Sequence, residues 1–148
     1  VASVERVNGF KDILEKEVPG AKIVAEQGGD SREAFMSIME DVLMANDRVD
    51  LVFSYSADGG LGSYDAIQAA GREDEVSVIG FDASDEEQSV INEGGCYKGS
   101  IKQFPEKLAE TAVECVEKVL DGETLEEDIG VEVGVYTADG IVYADELQ

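Results

Sequence analysis

Apolar residues recur along this chain in two alternating rhythms, which together predict a repeating order of helices and strands. From Val4 to Glu17 the positions Val7, Phe10, Ile13 and Leu14 share one helical stripe, with Ser3 placed to cap the start and Pro19-Gly20 to stop the element. Ala21 to Glu26 reads as a short strand, and Gln27-Gly28-Gly29-Asp30 as the loop at its carboxyl end. Ser31 or Asp30 caps a second helix to about Asn46, whose Ala34, Phe35, Ile38, Met39, Val42 and Leu43 return every three or four residues. Methionines at that spacing belong to a core rather than to a cofactor site.

Asp50 to Tyr55 predicts the second strand, Ser56 to Gly60 a loop, and Leu61 to Ala70 the third helix, closed by Gly71. Val76 to Asp82 follows as a mostly apolar run ending in a carboxylate. A strand buried on both faces is near-continuously apolar, so Asp82 marks where this one leaves the core. A helix from about Ser84 to Asn92 stops at Gly94-Gly95, and Cys96 to Lys102 alternates as a less buried strand does. Gln103-Phe104-Pro105 turns the chain into a helix to Leu120, with Pro105 near the first helical position, where its missing N–H costs little. Leu108, Ala112, Cys115, Val116 and Val119 form its apolar side, and Asp121-Gly122 ends it. Gly130 to Tyr136 and Gly140 to Tyr143 read as short strands joined by a turn at Ala138-Asp139-Gly140. This alternation predicts an α/β fold, a parallel sheet flanked by helices in a Rossmann-like three-layer arrangement, as one unit without linker or low-complexity stretch.

Composition narrows the partners. The 148 residues suffice for one domain with a real core, and 43% apolar content excludes disorder despite 30% charged residues. With 34 acidic against 11 basic residues and no histidine, the formal charge is −23. A field of that sign repels phosphate backbones and anionic membranes, so nucleic acid is not expected as a partner. The acidic excess reads first as a solvated surface; a saline habitat and a cationic ligand are the alternatives. Cys96 and Cys115 have neither spacing nor neighbours for a metal site and read as buried thiols, leaving the redox compartment open. No apolar run is long enough to span a membrane. The chain opens on a helical pattern without Met or signal peptide, as a fragment or processed chain would.

Side by side, the carboxyl ends of the strands collect polar groups on one sheet edge, where open α/β sheets bind ligands. These are Gln27 to Asp30, Ser56 to Asp58, Asp82 and Gln103, joined by Arg6 if its helical turn faces that edge. Such groups make several directed hydrogen bonds to a hydroxyl-rich solute. Without histidine, Ser-His-Asp and Cys-His catalysis is impossible; a carboxylate pair such as Asp58 and Asp82 keeps glycoside hydrolysis as an alternative. Asp30 and Asp58 serve equally as helix caps. Gly28-Gly29 and Gly59-Gly60 match neither a P-loop nor GxGxxG and read as turns before helices. Asp82, Asp85, Glu86 and Glu87 are close enough in sequence to raise the question of a hard cation. A helix dipole accounts for acids in a first turn, however, and no metal or cofactor is expected.

In order along the chain stand Ser3-x-x-Arg6-x-x-Gly9-Phe10, Gln27-Gly-Gly-Asp30, Val52-Phe53 before Ser56 to Asp58, and Leu61-Gly62-x-x-x-Ala66-Ile67-x-Ala69-Ala70-Gly71. Ile79-Gly80-Phe81-Asp82, Ile91-x-x-Gly94 and Ser100-Ile101-x-Gln103-x-Pro105 follow. These phrases resemble the carboxy-terminal part of the type I periplasmic binding proteins, the ribose- and galactose-like sugar-binding components of ABC importers. The resemblance implies no enzyme but a binder of a monosaccharide, delivering it to a membrane permease by closure of two lobes. It implies a periplasmic or extracellular location, with a lipoprotein tether as a further option.

By the same resemblance Arg6, Asp82 and Gln103 fall on ligand-contacting positions. Where the family commonly carries an Asn-Asp pair the chain has Ser56-Ala57-Asp58, so Ser56 stands in the Asn position with one hydroxyl in place of a two-ended amide. The Gln27 to Ser31 loop lacks the aromatic that stacks on sugar in ribose-binding relatives, and Tyr55 replaces it only if turned toward the cleft. The family is roughly twice this length, and Glu106 to about Val135 would normally complete its amino-terminal lobe. The expectation is a carboxy-terminal fragment whose last helix packs on its own sheet or on another copy, favouring self-association. The alternative is the effector-binding domain of a sugar-responsive transcription repressor, which needs an upstream helix-turn-helix; the Ser100 to Pro105 phrase looks more like the transport branch.

Overall fold

Three of the apolar runs pair as parallel strands. The computed structural model describes residues 2–143, and in it β1 (Leu51–Phe53), β2 (Ser77–Phe81) and β3 (Tyr97–Gln103) lie side by side in that order. β4 (Val133–Thr137) and β5 (Gly140–Tyr143) extend the sheet antiparallel from β3, making it a mixed sheet of five strands. The helices are α1 (Ala2–Glu17), α2 (Arg32–Ala45), α3 (Ala57–Ala69), α4 (Asp85–Glu93) and α5 (Pro105–Leu120). The α/β architecture is thus the expected one, with the parallel pairing confined to β1, β2 and β3.

Alternation along β2 separates the two faces of the sheet. Val78 and Gly80 point to the buried face, where Met39, Leu43, Ala66, Ile67, Ile91, Cys96 and Tyr97 form the core. Each large aliphatic side chain fully covered there contributes about 1.5–3 kcal/mol. Ile79 and Phe81 point to the opposite face and are half-buried. That face is met by α1, through a stack of Phe10 on Phe53 with ring centroids 4.4 Å apart. Arg32 ties the helical layer together at the start of α2: its guanidinium donates to both oxygens of Asp65 on α3, at 2.6 and 3.0 Å, and to Glu86 on α4 at 2.6 Å. Because these groups are about one-third exposed or more, the clamp orients helices more than it stabilises them. Arg72 caps the other end of α2 by donating to the carbonyls of Leu43 and Asn46.

Four expectations are corrected. Ala21 to Glu26 is no strand: it is exposed, with Ile23 and Val24 about half accessible. A cleft of about 1140 Å³, lined by Phe10, Ile23, Val24, Met39, Val42 and Phe53, lies between it and the edge strand β1. A strand joins a sheet edge only when its side chains also find cover, and α1 touches the sheet too locally to supply it. Ser3 does not cap α1, because the helix already includes Ala2. The third helix begins at Ala57, so Gly59 and Gly60 are its first turn rather than a loop. They are required by close approach: a Cβ on Gly60 would meet the Tyr97 hydroxyl, and one on Gly59 the Ser54 hydroxyl. Finally, of the two packings expected for α5 the one on its own sheet is not adopted, for none of its residues is buried, Cys115 included, and Leu120 is 80% exposed.

Two outcomes follow for stability. Gly60→Ala drives a methyl group into Tyr97 and lowers the unfolding free energy by about 1–3 kcal/mol, as read by urea denaturation, with part of the loss recovered in a Tyr97→Phe background. Burial first, and the hydrogen bond to Glu87 second, raise the Tyr97 hydroxyl above its ordinary value of 10.0. The folded state therefore keeps a proton that the unfolded chain releases, and this contribution is complete below pH 10 and lost as pH rises above it. Alkaline unfolding of Tyr97→Phe should accordingly have a shallower dependence on pH above 10 than that of the wild type.

Candidate functional site

The site is built from the carboxyl ends of β1, β2 and β3, which parallel pairing sets side by side. β2 ends at Phe81, and the next two residues pass through the left-handed region, Asp82 with φ 97° and Ala83 with φ 48°. Positive φ at a non-glycine residue costs about 1–3 kcal/mol and persists only where the surroundings hold it. Here the Asp82 amide donates to the Ile101 carbonyl at 2.8 Å, and the Ala83 amide donates to Ser100 Oγ at 3.0 Å. Gln88 Nε2 donates to the Ala83 carbonyl at 2.6 Å. The turn leaves the Asp82 side chain exposed at the sheet edge while Ala83 is buried.

Gln103, the last residue of β3, donates its Nε2 to Asp82 Oδ1 at 2.8 Å. The carboxylate is thus oriented by one neighbour and keeps further acceptor capacity for a ligand. Arg6 reaches the same edge from α1. Its guanidinium carbon lies 3.8 Å from the centroid of the Phe81 ring, and Nη1 donates to the Tyr55 carbonyl at 2.9 Å. The guanidinium is fixed by a ring face and one acceptor, with its remaining N–H groups available. Asp82, Gln103 and Arg6 are therefore brought together around the end of β2.

Ser56 and Asp58 are placed differently. Ser56 is the N-cap of α3, its hydroxyl accepting from the Gly59 amide at 3.3 Å, so one lone pair is already used. Asp58 sits exposed in the first turn of α3, where the helix dipole favours an acid. Tyr55 is held against the loop that precedes α2. It stands edge-on to Phe35, and its hydroxyl donates to the Gly29 carbonyl at 3.2 Å, tying it to the Gln27 to Asp30 loop. The acids from Asp82 to Glu87 do not converge on a cation: Asp82 accepts from Gln103, Glu86 pairs with Arg32, and Glu87 turns inward to Tyr97. Among the described residues no group of three metal-ligating side chains gathers anywhere.

Sequence reasoning passed over Phe81 and Glu87. Phe81 reads as one more apolar residue of a strand, and only the register Phe53↔Ile79 places it on the α1 face. Glu87 reads as a dipole-favoured acid, yet it is fully buried. A signal for it was present: Ser84-x-x-Glu87 has capping-box spacing, and both reciprocal bonds form.

The chain is similar to proteins of known role and known structure. The ribose import binding protein RbsB of Escherichia coli is 31% identical over 126 residues, covering 84% of this chain and 41% of that protein. The D-apiose import binding protein of Actinobacillus succinogenes is 37% identical over 116 residues, covering 78% of this chain and 37% of its own length. This chain thus spans about two-fifths of the length of the curated relatives it matches. An ABC transporter solute binding protein from Agrobacterium vitis, solved with α-D-tagatopyranose bound, superposes with a TM-score of 0.80 at 25% identity over 93% of this chain and 46% of that one. The sequence profile described as periplasmic binding protein domain matches residues 2–124, and on that match the chain belongs to the periplasmic binding protein family.

Proposed function

We propose that this chain is the carboxy-terminal lobe of a solute-binding protein that holds a monosaccharide and delivers it to the permease of an ABC importer. The observation that carries the reading is the convergence of Asp82, Gln103 and Arg6 on the end of β2, each fixed by one neighbour and each with hydrogen-bonding capacity left over. An acceptor, an amide and a planar multiple donor suit a ring of hydroxyls. Relatives named for ribose and D-apiose, and a neighbour solved with a ketohexose, support the same class of solute. Ser56 contributes its hydroxyl proton and Asp58 an exposed carboxylate at the rim, both as secondary contacts.

The mechanism is closure of a second lobe over this edge, with affinity from hydrogen bonds formed as water leaves and no covalent step. The protein is not an enzyme in this reading, as its relatives are transport binding proteins. A periplasmic location follows from the family, and a lipoprotein tether is compatible with it. Of residues 106–135, the helix α5 belongs with the amino-terminal lobe, whereas Val133 to Val135 stand in β4, paired with β3 of this lobe's own sheet. What supports this is α5, whose Leu108, Val113, Val116, Val119 and Leu120 are 45–80% exposed although its apolar residues recur at helical spacing. Without that lobe the same apolar side chains favour association of one copy with another.

Calorimetric titration of the full-length protein with pentoses and hexoses tests the binding reading. One sugar should bind, with affinity reduced at least about tenfold by Asp82→Ala and by Arg6→Ala, each the loss of charge-assisted hydrogen bonds. Absence of heat with every sugar would overturn it. For α5, sedimentation of the 148-residue chain should show concentration-dependent association that Val116→Glu with Leu120→Glu abolishes; a monomer at all concentrations contradicts the exposed-face argument.

A further inference from the structure

A buried carboxyl group lies directly behind the polar edge. Glu87 is 0% exposed and accepts three hydrogen bonds: from Tyr97 Oη at 2.6 Å and Ser100 Oγ at 2.9 Å on Oε1, and from the Ser84 amide at 2.8 Å on Oε2. Such a group in a core is costly unless every lone pair in use finds a donor, and natural cores keep one where it determines a unique geometry. A capping box needs only the third of these bonds. The other two reach across to β3, and one of them continues to the site, since Ser100 Oγ itself accepts from the Ala83 amide.

We infer that Glu87 is a positioning residue for ligand binding, holding the Asp82–Ala83 turn in its left-handed conformation through Ser100. The hydroxyl of Ser100 has one proton. Ser100 donates that proton in a hydrogen bond to Glu87 Oε1, which leaves a lone pair of the hydroxyl oxygen to accept from the Ala83 amide. With the preceding peptide held by the Asp82 amide on the Ile101 carbonyl, fixing the Ala83 amide fixes the peptide that follows Asp82, and so the φ of 97° that turns the Asp82 carboxylate toward Gln103. Space for the network comes from Gly80, where a Cβ would meet both Tyr97 Oη and Glu87 Oε1. Tyr97 braces Glu87 without touching the turn, so its bond concerns stability and that of Ser100 concerns the site.

The inference rests on the sugar-binding reading for its consequence but not for its geometry, and two readouts on the full-length protein separate them. The first is the backbone of Asp82 and Ala83 followed by NMR with selective 15N labelling, since a positive φ gives a strong intraresidue amide–Hα NOE. Glu87→Gln keeps volume but offers a single acceptor oxygen for the two hydroxyls and the Ser84 amide, setting an N–H against one of these donors, and Ser100→Ala removes the link itself; both should lose the signature. Tyr97→Phe should retain it despite a lower melting temperature. The second readout is affinity for the bound sugar, expected to fall about tenfold in Glu87→Gln and Ser100→Ala and to stay within about twofold in Tyr97→Phe. In an Asp82→Ala background Glu87→Gln should add no further loss. Retention of the left-handed turn in Ser100→Ala and Glu87→Gln, or an undiminished affinity loss without Asp82, overturns the positioning role. If Glu87→Gln does not fold, Ser100→Ala decides alone. A wild type that binds no sugar overturns the functional reading, while the NMR comparison still decides the role of Glu87.

Discussion

A parallel strand that stops at the surface leaves its following amides without a ladder partner, and in β2 the amide of Ala83 is met by a side chain, Ser100 Oγ, from the neighbouring strand. Everything at the polar edge is referred to that contact. It permits two successive non-glycine residues at positive φ, places Asp82 outside and Ala83 inside, and starts α4 at Ser84 with its capping box complete. A different satisfaction of the same amide, by water or by a continued ladder, would send the Asp82 side chain elsewhere. The strain at this turn, about 1–3 kcal/mol per residue, is offset by the bonds on either side of it.

The two sides of the edge are supported differently. Asp82 and Gln103 stand on strands whose buried face is packed around Tyr97, with Gly60 and Gly80 allowing helix and sheet to approach it. Arg6 instead stands on α1, which meets the sheet at separate points: the stack of Phe10 on Phe53, the Phe81 ring and the Tyr55 carbonyl. A cleft runs alongside where the expected Ala21 to Glu26 strand does not pair. For the binder proposed above, groups already held in place by their neighbours keep the ordering cost of closing on a solute low.

Much of this was legible in the residues. The apolar runs at Asp50 to Tyr55 and Val76 to Asp82 each contain a parallel strand and the alternating Cys96 to Lys102 covers all but the last residue of another, because segments of this length between turn signals are too short for helix. The carboxyl-edge rule then located Asp82 and Gln103 before any coordinate was needed. Ala21 to Glu26 misled because strand propensity describes a fit to a half-covered surface, and the cover is a tertiary fact. Gly59-Gly60 misled for the complementary reason: a glycine pair signals a turn locally, whereas here Gly60 answers a tyrosine more than thirty residues away and Gly59 the Ser54 hydroxyl. Glu87 was hidden by its neighbours, since an acid in a first turn already has a sufficient local explanation.

The acidic charge of the chain bears less on the ligand than its size suggests. A net −23 acts on ions at a distance, and at physiological ionic strength it is screened within about 8 Å. A neutral polyhydroxy solute feels only the groups it touches. At the end of β2 those groups are of mixed kind, a carboxylate, an amide and a guanidinium, and the guanidinium lies on an aromatic face instead of in an ion pair with Asp82. Had the site evolved for a cation, the basic group would oppose it; had it evolved for an anion, Asp82 would. A set in which both signs are held apart by separate neighbours is one in which direction, not charge, selects the ligand.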